Sequence, residues 1–279
     1  MRLTILSSGS GGNCALVEGG GASVLVDAGL PLRETRARAK AAGASVECAD
    51  ALLITHEHAD HGGCAGVLSR KLGLPVWATP GTHAALRDGP RAELCIEVES
   101  LAWLRVGASD LWARAVPLPH DAREPVAWTF EERGESGIAR AAIVTDLGHA
   151  PESLAAQLGL LDLLVLEFNH DLQMLLEGPY PWPLKQRVRG AHGHLSNAQA
   201  AQLLGQLCHP GLSHLVLAHL SEHNNTPALA RAAAEAVLLR QRSGARLHTG
   251  SVKRPLGSIG CEPGAAPVQS WRAAQMALW

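Results

Sequence analysis

A chain of 279 residues with 24 basic and 26 acidic side chains carries a formal charge of −2, too balanced to coat nucleic acid by bulk charge, although a local basic groove stays open. Hydrophobic residues make up 47% and aromatics 4%, enough for a sizeable core but too few rings for extended base stacking. The length suits one large α/β domain or two small ones. No run of eighteen apolar residues marks a membrane span, and the opening residues lack the apolar core of a signal peptide. Cys14, Cys48, Cys64, Cys95, Cys208 and Cys261 are scattered with no Cys-x-x-Cys, the pattern of reduced thiols in a cytoplasmic protein rather than a zinc knuckle or disulfide framework.

Residues 4–6 read as a strand that runs into Ser7-Ser8-Gly9-Ser10-Gly11-Gly12-Asn13, and residues 14–18 as a second strand. The loop between them is longer than a hairpin needs and lacks the Gly-Lys-Ser/Thr ending of a P-loop. It is either an anion cradle, with Ser8 and Asn13 facing substrate, or an ordinary connection. Residues 23–27 form a buried strand closed by Asp27-Ala28-Gly29. Asp27 is placed either to orient a ligand histidine from behind or to cap the next segment. Pro31 suits the start of a helix over 32–42 that Gly43 ends.

The stretch Leu52-Leu53-Ile54-Thr55-His56-Glu57-His58-Ala59-Asp60-His61 organises the rest. Its apolar run suits a buried parallel strand. The histidines begin where that strand ends, and open α/β folds collect ligands at such ends. His56 and His58, two apart, point the same way in extended backbone. Asp60 and His61 follow in the turn, so the stretch offers two pairs of ligands to two adjacent ions. Imidazole and carboxylate suit zinc, and also manganese or iron.

Gly62 and Gly63 leave room beside those ions. A helix over 64–72, a strand over 75–78, a helix beginning at 79–81 and strands over 93–98 and 111–116 come next. The last leads to His120, positioned as a third ligand for the first ion, and then to a strand over 124–130. A strand over 138–144 leads to Asp146, whose carboxylate can bridge two cations. A helix over 151–160 and a buried strand over 161–167 precede Phe168-Asn169-His170-Asp171. After the rigid aromatic loop 178–184, Lys185, Arg187 and Arg189 read as a solvated helix start, with a phosphate-backbone contact as the alternative. Ser196 or Asn197 caps a helix running to 209, which places His194 near a helix N-terminus, a good place to meet an anion. A strand over 214–218 ends in His219. Asn225 or Thr226 caps a helix over 228–242 that Pro227 opens. Residues 246–248 suit an edge strand, and 249–279 carry no readable motif. With no linker or break in composition, residues 1–279 are expected to form one domain.

In order and spacing, His56, His58, Asp60, His61, His120, Asp146 and His219 resemble the ligand set of the dinuclear metallo-β-lactamase-fold hydrolases. The resemblance implies an α/β, four-layer αββα sandwich of two similar halves with the metals at one sheet edge. It implies one ion on His56, His58 and His120, a second on Asp60, His61 and His219, and Asp146 between them. Leu6-Ser7-Ser8-Gly9-Ser10-Gly11-Gly12-Asn13-Cys14, Thr55-His56-Glu57-His58, Asn169-His170-Asp171, Gly193-His194-Leu195-Ser196-Asn197 and His219-Leu220-Ser221-Glu222-His223-Asn224-Asn225 are similar to the YycJ/WalJ-like branch. That branch implies a DNA 5′→3′ exonuclease linked to DNA repair and, in some bacteria, to cell-wall regulation. His223 departs from it, since an acidic or polar residue is expected there. The placement of His194 also resembles the tRNA 3′-processing relatives, in which a histidine meets the scissile phosphate.

The expected activity is hydrolysis of a phosphodiester, with DNA the favoured partner and no membrane partner. Two divalent ions, zinc or else manganese or iron, supply a bridging hydroxide near neutral pH. Asp60 orients that nucleophile, His194 donates a proton, and Ser8, Asn13, His194 and Ser196 are the substrate-side residues. The alternatives are hydrolysis of a small ester, thioester, cyclic phosphodiester or lactam, and a metal-bound scaffold or sensor without catalysis. Asp146 argues against the β-lactam group. The short interval from Asp146 to His219 argues against the large inserted domain of the RNA-cleaving β-CASP relatives.

Overall fold

The short apolar runs of the sequence pair into two seven-stranded sheets within residues 1–262, the part of the chain that the computed structural model describes. The first sheet is built from β1 (Arg2–Ser7), β2 (Cys14–Gly19), β3 (Ala22–Val26), β4 (Ala51–Leu53), β5 (Val76–Ala78) and β6 (Cys95–Glu97). The second is built from β7 (Trp103–Arg105), β8 (Leu111–Pro117), β9 (Val126–Gly134), β10 (Gly137–Val144), β11 (Leu163–Glu167), β12 (His214–Ala218) and β13 (Arg246–Thr249). A last strand, β14 (Leu256–Gly260), returns to pair antiparallel with β1. The helices are α1 (Leu32–Ala41), α2 (Ala59–Gly62), α3 (Ala65–Leu72), α4 (Pro80–Ala85), α5 (Leu154–Leu158), α6 (Leu172–Glu177), α7 (Trp182–Val188), α8 (Asn197–Leu207) and α9 (Pro227–Arg240).

Both sheets follow one plan. Antiparallel pairs β1–β2 and β2–β3 give way to parallel pairing from β3 to β6. Likewise β7 to β10 are antiparallel and β10 to β13 parallel. Alternate residues of the antiparallel strands face inward: Leu3, Ile5, Val17 and Val24 of one sheet meet Ala113, Trp128, Phe130 and Ala141 of the other. The parallel strands are apolar on both faces because helices cover their outer sides. Leu203, Leu204, Ala230 and Ala234 of α8 and α9 join Leu164, Leu166, Leu215 and Leu217 of the second sheet. Ala39 of α1 and Leu68 of α3 join Leu16, Leu25 and Leu52 of the first. The result is the four-layer αββα sandwich the resemblance implies.

Several elements differ from the sequence reading. Residues 93–98 are a 3₁₀ turn, Ala92–Leu94, followed by β6, whose three residues are exposed at the sheet edge. The helix expected over 151–160 contracts to α5, ending at Gly159 with a left-handed φ of 72°. β7 and β14 carry no apolar period and were not expected. Both pair with a neighbour along one side, so that pairing rather than burial fixes their conformation. β14 lies within the segment that shows no motif, and residues 263–279 of that segment lie outside the described residues.

Candidate metal centre

The strand ends that carry polar residues open onto one edge of the sandwich. His56 lies beyond β4, His120 beyond β8, Asp146 beyond β10, Glu167 at the end of β11 and His219 beyond β12. Asp27, Asp146 and His219, each just past a strand, adopt left-handed φ values of 64°, 61° and 52°. Asp and His tolerate this conformation better than most residues, yet three instances at one edge mark a constrained site. In α2 the His58 carbonyl accepts from His61 N at 2.9 Å and Gly62 N at 2.7 Å, so one turn presents both Asp60 and His61. Gly29 packs beneath that turn, where a Cβ would stand 1.9 Å from the Asp60 carbonyl oxygen and 2.6 Å from Asn13 N.

Two donor sets result. One ligand atom each from His56, His58 and His120 lie within 4.8 Å of one another, and so do atoms of Asp60, His61 and His219. Asp146 stands between them: its Oδ2 is 3.0 Å from His61 Nε2, its Oδ1 is 3.5 Å from His219 Nε2, and it also groups with His56 and His61.

The ring tautomers follow from what holds each Nδ1. His120 Nδ1 donates to the Gly193 carbonyl at 2.9 Å, and His61 Nδ1 donates to Asp27 Oδ2 at 2.7 Å. His219 Nδ1 lies 3.2 Å from Glu167 Oε1. Thr55 Oγ1 donates to Asp27 at 2.9 Å and so accepts from His56 Nδ1 at 3.1 Å. In the neutral form of each ring, Nε2 therefore carries the lone pair and faces the same space that the carboxylates enter. His56 Nε2 and Asp146 Oδ2 are buried and have no hydrogen-bond partner among the described residues. Apart from the Asn13 amide beside His61, acceptors face acceptors here, an arrangement that a cation between them would satisfy. An all-nitrogen-and-oxygen donor set with no thiolate fits a divalent ion of the first transition row.

The ionisation of these side chains agrees. Burial would lower the His219 imidazole, but Asp146, Asp60 and Glu167 carry it up to about 10. His61 is likewise held well above its usual range by Asp146 and Asp27 against the effect of burial. Asp146 is held well below the carboxylate range by His219 and His61, again against burial. Burial, with the charge on His61, pushes His56 well down, and burial lowers His120. The carboxylates thus draw positive charge into the space, and cations entering it would displace protons.

Of the substrate-side residues expected from sequence, His194 stands at the mouth of the centre. Its Nδ1 donates to Glu167 Oε1 at 2.9 Å and lies 3.6 Å from Asp146 Oδ1, and its side chain remains 21% exposed where Glu167 is fully covered. The other three are placed as supports. Ser8 Oγ accepts from His219 N at 2.8 Å. Asn13 Nδ2 contacts His61 Nε2 at 2.9 Å and Asp60 Oδ2 at 3.4 Å. The Ser196 hydroxyl caps α8 in a reciprocal pair with Gln199. The Gly/Ser loop does not form an anion cradle through its amides at Ser8, Gly9, Gly12 and Asn13. These donate to Ser251 O, Asn13 Oδ1, Gly9 O and Asp60 O.

Glu167 is the residue that sequence reading passed over. It is fully buried, and its carboxylate accepts from His194, His219 and the backbone N–H groups of Asp146, Leu147 and Leu195. With five donors its lone pairs are spent on orienting neighbours rather than on a cation. Burial opposes its charge, but His194 and His219 hold it down to about 2. The signal was a carboxylate ending an otherwise apolar strand. Asp27, left open between two roles, orients His61.

Comparison with known proteins agrees with this architecture. A model of the β-lactamase superfamily domain matches residues 22–220. The chain is 33% identical over 242 residues to the exodeoxyribonuclease YycJ of Bacillus anthracis, covering 85% of this chain and 89% of that one. It is 31% identical over 233 residues to the exodeoxyribonuclease WalJ of Streptococcus pneumoniae, covering 82% and 85%. Among solved structures, the metallo-β-lactamase fold protein YhfI of Bacillus subtilis is similar with a TM-score of 0.66 at 17% identity, covering 91% of this chain and 98% of that one. The short form of human tRNase Z is similar with a TM-score of 0.62 at 17% identity, covering 94% and 100%. Sandwich, converging donors and sequence relatives together assign the chain to the metallo-β-lactamase superfamily, in its YycJ/WalJ-like branch.

Proposed function

We propose that this protein is a dinuclear metal-dependent phosphodiesterase that degrades DNA from an end, with 5′→3′ polarity. The observation that carries the reading is Asp146 standing between two donor sets, with the half-open His194 beside it. In this reading His56, His58 and His120 would hold one divalent cation and Asp60, His61 and His219 the other, with Asp146 available to both. Zinc suits the donors best, with manganese or iron as alternatives. Bound there, the cations would supply a hydroxide nucleophile near neutral pH and offset charge on the phosphoryl oxygens.

The chain's own residues do the rest. Asp60, 25% exposed and 3.5 Å from His219 Nε2, faces the open side and orients the nucleophile. His194 is raised above its ordinary range by Glu167 and Asp146 despite burial. With Nδ1 on Glu167, the protonated ring would turn its second N–H to a phosphoryl or leaving oxygen. The relatives named as exodeoxyribonucleases support DNA as the substrate, and the six free thiols suit a reducing cytoplasm. Among the described residues no helix is long and apolar enough to cross a membrane.

Digestion of end-labelled single- and double-stranded DNA and RNA, under zinc and under manganese, tests this. Mononucleotides released progressively from a DNA 5′ end are expected. If none of these polymers is cleaved while a small ester or cyclic phosphodiester is, the nuclease reading fails. Bound metal with no hydrolysis of any ester would indicate a scaffold.

A further inference from the structure

Two charged side chains at the rim of the centre have no part in the chemistry above. Asp121 follows His120, and its Oδ1 lies 3.2 Å from His120 Nε2 and 3.9 Å from His58 Nε2. Because His120 Nδ1 donates to Gly193, the Nε2 that faces Asp121 is a lone pair and gives the carboxylate no hydrogen bond. What holds Asp121 is Arg187, whose Nε donates to Asp121 Oδ2 at 2.6 Å. The pair is open to solvent, with 60% of the Arg187 side chain and 31% of that of Asp121 exposed. Pairs this exposed are weak and readily exchanged.

The three basic residues of this segment have separate fates. Lys185 is buried, with Nζ donating to the Leu176 carbonyl. Arg189 lies over the Trp182 ring at 5.1 Å. Of the three, Arg187 is the one turned toward the centre, where its Nε meets Asp121 beside His120. The turn that carries it is tied to the catalytic edge. His194 N donates to Val188 O at 2.8 Å, Gly193 N to Gly190 O at 2.9 Å and Asp121 N to His192 O at 3.0 Å. Gly193 lets the chain pass so close, since a Cβ there would stand 2.2 Å from the carbonyl oxygens of Arg187 and Val188. A guanidinium beside the donor cluster, whose ion-pair partner among the described residues is an exposed carboxylate, matches the geometry of a phosphate group.

We propose that Arg187 binds the phosphate flanking the scissile one in a polynucleotide strand, and that Asp121 holds that phosphate's place in the free protein. The inference rests on the nuclease reading and narrows its substrate. A chain of phosphates engages both the centre and Arg187, whereas an isolated phosphodiester engages the centre alone. Arg187 is a specificity-determining residue in this scheme and makes no contact with the reacting atoms.

The test combines equilibrium binding of labelled oligothymidylate by the metal-free protein with steady-state kinetics of the metal-loaded enzyme on oligothymidylate and on bis(4-nitrophenyl) phosphate. Arg187→Ala should weaken oligothymidylate binding about 10- to 100-fold, the size of one charged hydrogen-bonded contact. It should raise KM more than it lowers kcat, and shift the kcat/KM preference for oligothymidylate over the small diester by a similar factor. Arg187→Lys should recover part of the loss. Asp121→Asn should tighten binding, because the competing carboxylate charge is gone. If the ion pair were a mere strut, Asp121→Asn would weaken binding in step with Arg187→Ala, and that result overturns the proposal. So does an Arg187→Ala protein with wild-type affinity, or one equally impaired on both substrates. Wild-type protein that hydrolyses bis(4-nitrophenyl) phosphate but leaves oligothymidylate intact would instead sink the nuclease reading, and this inference with it.

Discussion

The two sheets supply the candidate metal centre in different ways. Beyond β4, four donors lie within the six residues from His56 to His61, and one turn of α2 presents two of them. In the other sheet, His120, Asp146 and His219 come singly from the ends of β8, β10 and β12, up to 99 residues apart along the chain. The braces differ accordingly. Asp27 reaches His61 and Thr55, both beside the β4 end. Glu167 must tie His194, His219 and three backbone amides across neighbouring strand ends. A local cluster is set mainly by the chain's own turn, whereas a dispersed set needs a buried carboxylate to hold it in register.

That contrast predicts unequal costs. Glu167→Gln should be the most damaging brace variant, because it acts on a site histidine and on His194 together. Metal affinity is expected to fall about 10- to 100-fold, and turnover at saturating metal by about 10²- to 10⁴-fold, measured by metal titration and steady-state kinetics. An equal loss of turnover at saturating metal in Asp27→Asn would break the comparison. His194→Ala should separate the two losses, with turnover down by about 10²- to 10⁴-fold while metal content is retained. A matching loss of metal would make His194 a ligand instead.

Acid sensitivity should also belong to the second sheet. His170 is fully buried just beyond β11, and neither ring nitrogen has a partner among the described residues. Burial lowers its pKa from 6.5 to about 4. The unfolded chain takes up this proton near pH 6.5 and the folded chain only near 4, so its contribution to stability is complete above 6.5 and is lost as the pH falls toward 4. The loss is worth about 3 kcal/mol at most. Chemical denaturation at a series of pH values should show a shallower decline for His170→Gln than for wild type, and parallel curves would remove His170 from the account. The smallest effect is expected for Asp27→Asn, a loss of about 10- to 100-fold in metal affinity with turnover at saturating metal falling far less than in Glu167→Gln.

The same difference decided what the sequence made legible. An apolar run meeting three imidazoles within a few residues is a pattern that local reading detects, and the parallel strands show as unbroken apolar runs because both their faces are buried. Glu167 was invisible for the opposite reason. A carboxylate ending an apolar strand looks the same whether it meets water or two imidazoles, and only the pairing of β11 with β10 and β12 brings it beside Asp146 and His219. The edge strands β7 and β14 were missed because hydrogen bonding to a neighbour defines them. Ser196 was read toward substrate, yet its hydroxyl is engaged at the α8 cap. In the Gly/Ser loop, whose amides could have served an anion, the contact of Asn13 N with Asp60 O spans 47 residues and no local pattern announces it.

The most direct measurement of the central claim is the metal stoichiometry of the wild-type protein beside Asp146→Ala, after loading with excess zinc or manganese and removal of free metal. Two ions per wild-type chain and one or fewer in the variant are expected, because Asp146 stands between both donor sets. One ion per wild-type chain, or two retained by Asp146→Ala, would contradict it.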